Sequence, residues 1–145
     1  MPRKTSNTLR SPERDYSHRL LLDKLGIKPG QRISVLGIHD KPFLKNLADR
    51  VPDYERENAR AEADIIVFGA EELKSLAQMN SLAGTIQKSG QKAGSIWVVY
   101  PKGKAHIREA DVRSAGKACG LVDNKVCRFS ATHTALRFVI PLARR

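Results

Sequence analysis

The sequence predicts a three-layer α/β/α sandwich whose sheet is mostly parallel and ends in an antiparallel hairpin. Three apolar runs, residues 32–38, 64–68 and 95–100, are typical of strands buried on both faces, and segments with helical periodicity separate them. Two further strands, about 124–129 and 135–140, lie too close together for a crossover helix, so only an antiparallel pair fits. At 145 residues the chain is long enough for one such domain with a buried core.

The first 15 residues are polar and basic, and we expect them to form a disordered tail before a single domain over residues 16–145. Ser17 is placed to cap a short helix, which Gly26 ends in the left-handed conformation. Pro29–Gly30 then signals a type II turn, because proline presets φ and glycine supplies a positive φ. The first buried strand follows at once.

Asp40 is placed to cap the helix after that strand. The apolar residues of this helix recur at spacings of three and four: Phe43, Leu44, Leu47, Ala48 and Val51. Pro52 ends it. The next segment, Tyr54–Arg60, is highly charged and is equally typical of a short edge strand or a loop, so its structure stays open.

A second helical segment follows the strand at residues 64–68, with Glu71 and Glu72 favouring its start through the helix dipole. Its predicted apolar face has a break near Asn80 and consists of Leu73, Leu76, Ala77, Leu82 and Ile86. After the strand at residues 95–100, a helix is predicted from about Arg108 to Cys119. Its predicted inward residues are Ile107, Ala110, Ala115 and Ala118. Residues 130–133 form the predicted hairpin loop.

Lysine and arginine outnumber the acids by 26 to 15, giving a net charge of +11 and raising the odds of contact with nucleic acid or other anions. The positive residues are spread along the chain, however, and few aromatic residues are available to stack on bases.

Cys119 and Cys127 match neither a zinc nor a dithiol spacing, so we expect buried, reduced thiols. No apolar run could span a membrane and no secretory signal is evident, which favours a cytoplasmic protein.

Four segments resemble the signature of a family of small bacterial single-domain proteins of unknown function. They are Tyr16-Ser17 with Leu21-Leu22 and Lys24-Leu25-Gly26-Ile27-Lys28-Pro29-Gly30, Trp97-x-x-Tyr100-Pro101-Lys102, Gly120-Leu121-Val122-Asp123-Asn124-Lys125-Val126-Cys127, and Leu136-Arg137-Phe138-Val139. The sequence departs from that signature at Thr132-His133-Thr134, where the family has a tryptophan-containing segment. The resemblance implies no established activity.

The order of elements over residues 16–140 also resembles a trimmed class I methyltransferase domain of the Rossmann-like type. Such enzymes hold S-adenosylmethionine with a glycine-rich turn after strand one and with an acid after strand two, which binds the ribose. Glu55 or Glu57 would be that acid here. The turn has a single glycine, Gly37, and only 25 residues separate Ile38 from Asp64, so part of that cofactor site is expected to be missing.

Candidate ligand residues follow the first and third strands, whose carboxyl ends meet at one edge of a parallel sheet. They are Gly37, His39, Asp40, Lys102, Lys104 and His106. We expect the basic loop that holds Lys102 to converge with His39 on an anionic ligand. The simpler alternatives are that Asp40 only caps a helix, that His39 is an exposed turn residue, and that the basic loop is merely solvated.

No catalytic residue or metal site is predicted, because no Ser-His-Asp order, metal-ligand spacing or P-loop can be assembled. Asp64 is expected to mark only the start of a strand, and His133 to be exposed in the hairpin loop. Trp97 and Tyr100 are three positions apart, which places them on opposite faces of the sheet.

The favoured interpretation is a non-catalytic methyltransferase-like domain that binds a small anionic ligand or a protein partner, with no cofactor. The first alternative is a small methyltransferase with S-adenosylmethionine as its cofactor. The second is a nucleic-acid-binding protein that acts through its basic surface.

Overall fold

The computed structural model describes residues 20–60, 62–87 and 94–141. Its strands are β1 (Ile33–Leu36), β2 (Glu55–Arg56), β3 (Ile65–Gly69), β4 (Ser95–Pro101), β5 (Val122–Arg128) and β6 (His133–Val139). They form one six-stranded sheet in the order β2-β1-β3-β4-β6-β5. β2, β1, β3 and β4 run parallel, whereas β6 is antiparallel to both β4 and β5. The predicted mostly parallel sheet with a closing hairpin is confirmed, and β6 is its reversed strand.

Helices cover both faces of this sheet. They are α1 (residues 20–24), α2 (Lys41–Arg50), a 3-10 helix (Leu73–Gln78), α3 (Met79–Gln87) and α4 (Glu109–Ala118). One apolar layer joins α1 and α2 to Trp97, and the other joins α3 and α4 to Tyr100. The three predicted layers are therefore present, with Trp97 and Tyr100 on opposite faces. The expected tail over residues 1–15 and the Ser17 cap lie outside the described residues.

The turn chemistry before and after β1 is as the sequence predicts. Gly30 has φ +88°, and the Gln31 amide donates to the Lys28 carbonyl at 3.3 Å, as in a type II turn. Asp40 caps α2, because its carboxylate accepts a hydrogen bond from the Phe43 amide at 3.0 Å. The two features set where β1 begins and where α2 leaves the sheet.

The choice left open for Tyr54–Arg60 is resolved in part as a strand. β2 has only two residues, paired in parallel with β1, and it is the edge of the sheet. Glu57 follows it with φ +59°, the left-handed region, which turns the chain away from the sheet. Only α2 and this short strand separate β1 from β3, as the 25-residue spacing required.

Two predicted apolar faces need correction. Leu73 is 53% exposed and Ala77 is exposed as well, whereas Leu76 and Met79 are buried. The prediction assumed an α-helix, but the segment is a 3-10 helix with three residues per turn, which keeps Leu76 and Met79 on one side and rotates Ala77 away. Leu73 shares the side of Leu76 but is the first residue of the helix, and the helix type does not explain its exposure.

In α4 the buried residues are Val112 and Gly116, four positions apart on one face. The predicted inward residues Ala110 and Ala118 are exposed. Each stands two positions from this pair, about 200° round the helix. Val112 has a larger apolar side chain than the alanines, so the face of α4 that carries Val112 packs on the core. Ala110 and Ala118 then lie on the exposed side.

Candidate functional site

The turns after β1 and β3 lie in close contact through two glycines. A Cβ placed on Gly37 would stand 2.8 Å from the Gly69 carbonyl oxygen, and one on Gly69 would stand 2.3 Å from the Gly37 carbonyl oxygen. Gly37 also has φ +71°, which L side chains rarely adopt. The glycine after β1 therefore serves the packing of two neighbouring turns, a role that the motif alone did not reveal.

The amide of Gly37 is bound by a side chain of the same protein. Both carboxylate oxygens of Glu57 accept from it, at 3.1 and 3.2 Å. The Glu57 amide in turn donates to the Val35 carbonyl at 2.6 Å, which fixes the residue beside the end of β1. Of the two candidate acids, Glu57 is the one that reaches this turn.

The N-terminus of α2 is likewise engaged by its own chain. A helix N-terminus attracts anions because its first amides point outward and the dipole is positive there. Here the Asp40 carboxylate accepts from the Phe43 amide, and the Asp40 carbonyl accepts from Leu44 at 3.0 Å. The cap uses one of the amides that an outside anion would need and adds a negative charge beside it.

A cavity of about 290 Å³, which we call the carboxyl-edge cavity, opens beside these turns. Its apolar walls come from Ile38, Val99 and Phe129, and its polar walls from residues that include His39, Asp40, Glu71, Ser130, Thr132 and His133. Ile38 is 4% exposed, so its side chain packs into the core, whereas His39 is exposed. The volume is at the lower end of the usual range for small-ligand sites.

One wall of the carboxyl-edge cavity carries a chain of hydrogen bonds. The Nε2 of His133 lies 2.7 Å from Oε2 of Glu71, and its Nδ1 lies 2.8 Å from Oγ1 of Thr132. The Thr132 hydroxyl is 3.3 Å from the Ser130 hydroxyl. A carboxylate that holds an imidazole in this way fixes the orientation of the ring.

The expectation that His133 is exposed was wrong. Its side chain is 25% exposed, because β6 begins at His133 and directs the ring towards Glu71 rather than into the loop. The missed pair joins residues 62 positions apart in sequence, and no short motif links them.

Four of the six candidate ligand residues lie at or beside the carboxyl-edge cavity. Gly37, His39 and Asp40 line the carboxyl-edge cavity, and Nε2 of His106 lies 2.9 Å from the backbone oxygen of Glu71 on its wall. Lys102 and Lys104 instead line a neighbouring cavity of about 450 Å³. The Lys102 amide donates to the Thr132 carbonyl at 3.0 Å, which ties the basic loop to the hairpin.

Tyr100 and Glu109 form a hydrogen bond of 3.3 Å in that neighbouring cavity. Burial, together with the charge of Glu109 and its hydrogen bond, raises the pKa of Tyr100 to about 12. The phenol is therefore a proton donor throughout the neutral range. Asp64, by contrast, accepts from the Arg32 amide at 2.8 Å beside the start of β3.

Cys119 and Cys127 are unpaired, and both are half-buried rather than buried as expected. Burial raises the pKa of both thiols, so both favour the unreactive protonated form.

Within residues 20–60, 62–87 and 94–141, no three His, Cys, Asp or Glu side chains are grouped to hold a metal ion. No helix in those ranges is long and apolar enough to cross a membrane.

The fold is similar to that of several solved methyltransferases. The chain is similar to magnesium protoporphyrin IX methyltransferase from Synechocystis PCC 6803 with bound S-adenosylmethionine, with TM-score 0.57 and 15% identity over 88% of this chain and 77% of that one. A SAM-dependent methyltransferase from Aquifex aeolicus matches with TM-score 0.58 and 12% identity, over 86% and 89% of the two chains. A complex between the Haloferax volcanii Trm112 methyltransferase activator and the putative methyltransferase gives TM-score 0.56 and 11% identity, over 90% and 91%.

No family model matches the sequence, and no curated protein matches it. At such low identities the structural likeness establishes the fold alone. The chain therefore has a trimmed Rossmann-like methyltransferase fold, in which the sheet stops at the two-residue strand β2.

The residues around β1 do not fit the S-adenosylmethionine that this fold implies. Glu57 directly follows β2, where the methyltransferase resemblance would place a ribose acid, but its carboxylate is bound to Gly37. The turn holds Ile38 and His39 where a second glycine would admit the cofactor, and Asp40 caps α2. Among the residues that the structure describes, β2 is the edge of the sheet and no strand lies beyond it.

Proposed function

We propose that this chain is a methyltransferase-like binding domain without methyl-transfer activity, and that it holds a small anionic ligand in the carboxyl-edge cavity. One observation carries the proposal. The Gly37 amide and the Phe43 amide, which a nucleotide-type ligand would need, are both bound by carboxylates of the same chain, while the cavity beside them is open.

The walls of the cavity support a ligand with an apolar part and an anionic group. Ile38, Val99 and Phe129 would contact the apolar part. His39 and His133 are the side chains there that can carry positive charge, and Glu71 holds His133 in a fixed orientation. His39 would supply an exposed second contact at the mouth, so the two imidazoles would face one anionic group.

Amide NMR spectra of the full chain, titrated with benzoate and with succinate, test this proposal. We expect saturable shifts at His39, Phe129 and His133, larger for benzoate because its ring can contact the apolar walls. His133→Ala should weaken binding by about tenfold, the effect of one charge-assisted hydrogen bond.

Asn80→Ala on α3 is the matched control, because Asn80 is exposed and α3 packs on the other face of the sheet. It should bind both probes as the parent chain does. Spectra that neither probe changes, or an equal loss in both variants, would rule out this ligand site.

The position of Glu57 favours a second candidate function, a small S-adenosylmethionine-dependent methyltransferase. For the cofactor to bind, the hydrogen bond between the Glu57 carboxylate and the Gly37 amide would have to break. The carboxylate would then contact the cofactor, which would lie against the turn. This function predicts that S-adenosylmethionine raises the melting temperature and that Gly37→Val abolishes the rise. Absence of a thermal shift in the parent chain would exclude it.

A further inference from the structure

A third cavity, of about 280 Å³, lies at the opposite edge of the sheet, where the parallel strands begin. Gln31 precedes β1, Asp64 precedes β3, and Ser95 is the first residue of β4; all three line it. The last residues of α1 and the β5-β6 hairpin complete its walls. We call it the basic cavity because Lys24, Lys125 and Arg137 line it.

Two of these cations stand side by side in the sheet. Arg137 of β6 pairs directly with Trp97 of β4 on one side and with Lys125 of β5 on the other. Directly opposed residues of antiparallel strands project from the same face, so the three side chains form one row. Like charges opposed in this way destabilise a sheet. An anion between them would remove that cost.

Lys24 joins the row from the helix above it. The indole Nε1 of Trp97 donates to the Leu25 carbonyl at 2.9 Å, which holds the end of α1 over β4. Burial raises the pKa of the Cys127 thiol, and the nearby charges of Lys24 and Lys125 both oppose that rise. Both ammonium groups therefore lie near one side chain of β5.

Asp64 lines the basic cavity together with the three cations, which outnumber it. Asp64 accepts from the Arg32 amide at 2.8 Å, and Asp23 pairs with Arg50 at 2.7 Å. Across the part of the chain that the structure describes, the ion pairs include neither Lys24 nor Lys125. The cavity thus presents two cationic side chains without an ion-pair partner there, beside the guanidinium of Arg137.

We propose that the basic cavity binds the terminal phosphate of a small phosphorylated molecule. A phosphate monoester carries close to two negative charges at neutral pH and several acceptor oxygens, which suits three converging cations. The cavity is larger than a phosphate group alone, which leaves room for part of the molecule that bears it. A concave site of this kind admits a chain end more readily than the continuous backbone of a nucleic acid.

The fluorescence of Trp97, the one tryptophan of the sequence, reports binding directly because its residue lines the cavity. The full chain is titrated with inorganic phosphate, with adenosine 5′-monophosphate, and with a single-stranded oligonucleotide that lacks terminal phosphates. We expect a saturable change with the two phosphates. Lys125→Gln combined with Arg137→Gln should weaken it by at least about tenfold.

Lys45→Gln combined with Lys117→Gln is the control with the same change in charge, because both lysines are exposed on helices away from this cavity. It should bind as the parent chain does. The melting temperatures of both double variants, measured without phosphate, show that the chain remains folded in each titration.

Three results would overturn the proposal. The first is no saturable change with either phosphate, and the second is an equal loss in both variants. The third is tighter binding of the oligonucleotide than of the monophosphate, with a steep salt dependence, which would assign the cavity to a nucleic-acid backbone.

Discussion

Glu57 holds its carboxylate 3.1 and 3.2 Å from the amide nitrogen of Gly37, and so joins the end of the edge strand β2 to the turn after β1. The contact fastens a two-residue strand that has little other pairing. The methyltransferase resemblance would place a cofactor at this acid and this turn, and the bond occupies both groups. The same bond therefore stabilises the edge of the sheet and keeps the Gly37 amide from binding an outside ligand.

Glu57→Ala should lower the free energy of unfolding by about 1 kcal/mol, because it removes this hydrogen bond. Glu57→Gly removes the same bond but relieves the positive φ of +59°. The glycine variant should therefore be about 1 kcal/mol more stable than the alanine variant. Urea denaturation of both measures the difference, and equal stabilities would show that the left-handed backbone carries no strain.

Gly37→Ala should be strongly destabilising because its Cβ would meet the Gly69 carbonyl oxygen at 2.8 Å. Gly103→Ala is the matched control: its φ is +73°, close to the +71° of Gly37, but nothing lies within 4 Å of the new Cβ. The Gly37 variant should lose about 1–3 kcal/mol more than the control, the usual effect of overpacking. Similar losses by denaturant unfolding would contradict the close contact of the two turns.

Gly116→Ala and Gly84→Ala should change stability in opposite directions. At Gly116 in α4 a Cβ would stand 2.1 Å from the ring of Phe138, so we expect a loss of about 1–3 kcal/mol. At Gly84 in α3 nothing lies within 4 Å, so alanine should add about 0.5–1 kcal/mol through helix propensity. Thermal unfolding of the pair checks whether α4 packs against β6 through this glycine.

The absorbance of Tyr100 at high pH tests its contact with Glu109. Burial first, and Glu109 second, raise the pKa of this phenol to about 12 from 10.0. The pKa of Tyr100 is higher in the folded than in the unfolded chain, so the protonated phenol favours the folded state. This contribution to the free energy of unfolding is complete below pH 10.0 and is lost as the pH rises towards about 12. Glu109→Gln should lower the pKa, and Tyr100→Phe should remove that titration from the spectrum. An unchanged titration in Glu109→Gln would rule out the contact.

The buried strands could be predicted because their cause is local. β1, β3 and β4 are continuous apolar runs, and the short spacing within the hairpin leaves only an antiparallel arrangement. The Asp40 cap is equally local, since its acceptor and the Phe43 amide are three residues apart. The fold class followed from these elements alone.

The candidate site could be predicted only in part because its contacts are remote in sequence. Glu57 and Gly37 are 20 positions apart, and His133 and Glu71 are 62 apart. Each bond depends on the order and register of strands, which periodicity does not determine. β2 is too short for a pattern, and the 3-10 helix that turns Ala77 away from the core has the composition of an α-helix.

Isothermal calorimetry of the full chain with S-adenosylmethionine and S-adenosylhomocysteine tests the central claim most directly. Because Glu57 and Asp40 already bind the amides of this turn, we predict no saturable heat with either compound at millimolar concentration, while benzoate still shifts the amide resonances of His39 and His133. Saturable micromolar binding of S-adenosylmethionine that Glu57→Ala abolishes would contradict the account and identify a methyltransferase cofactor site.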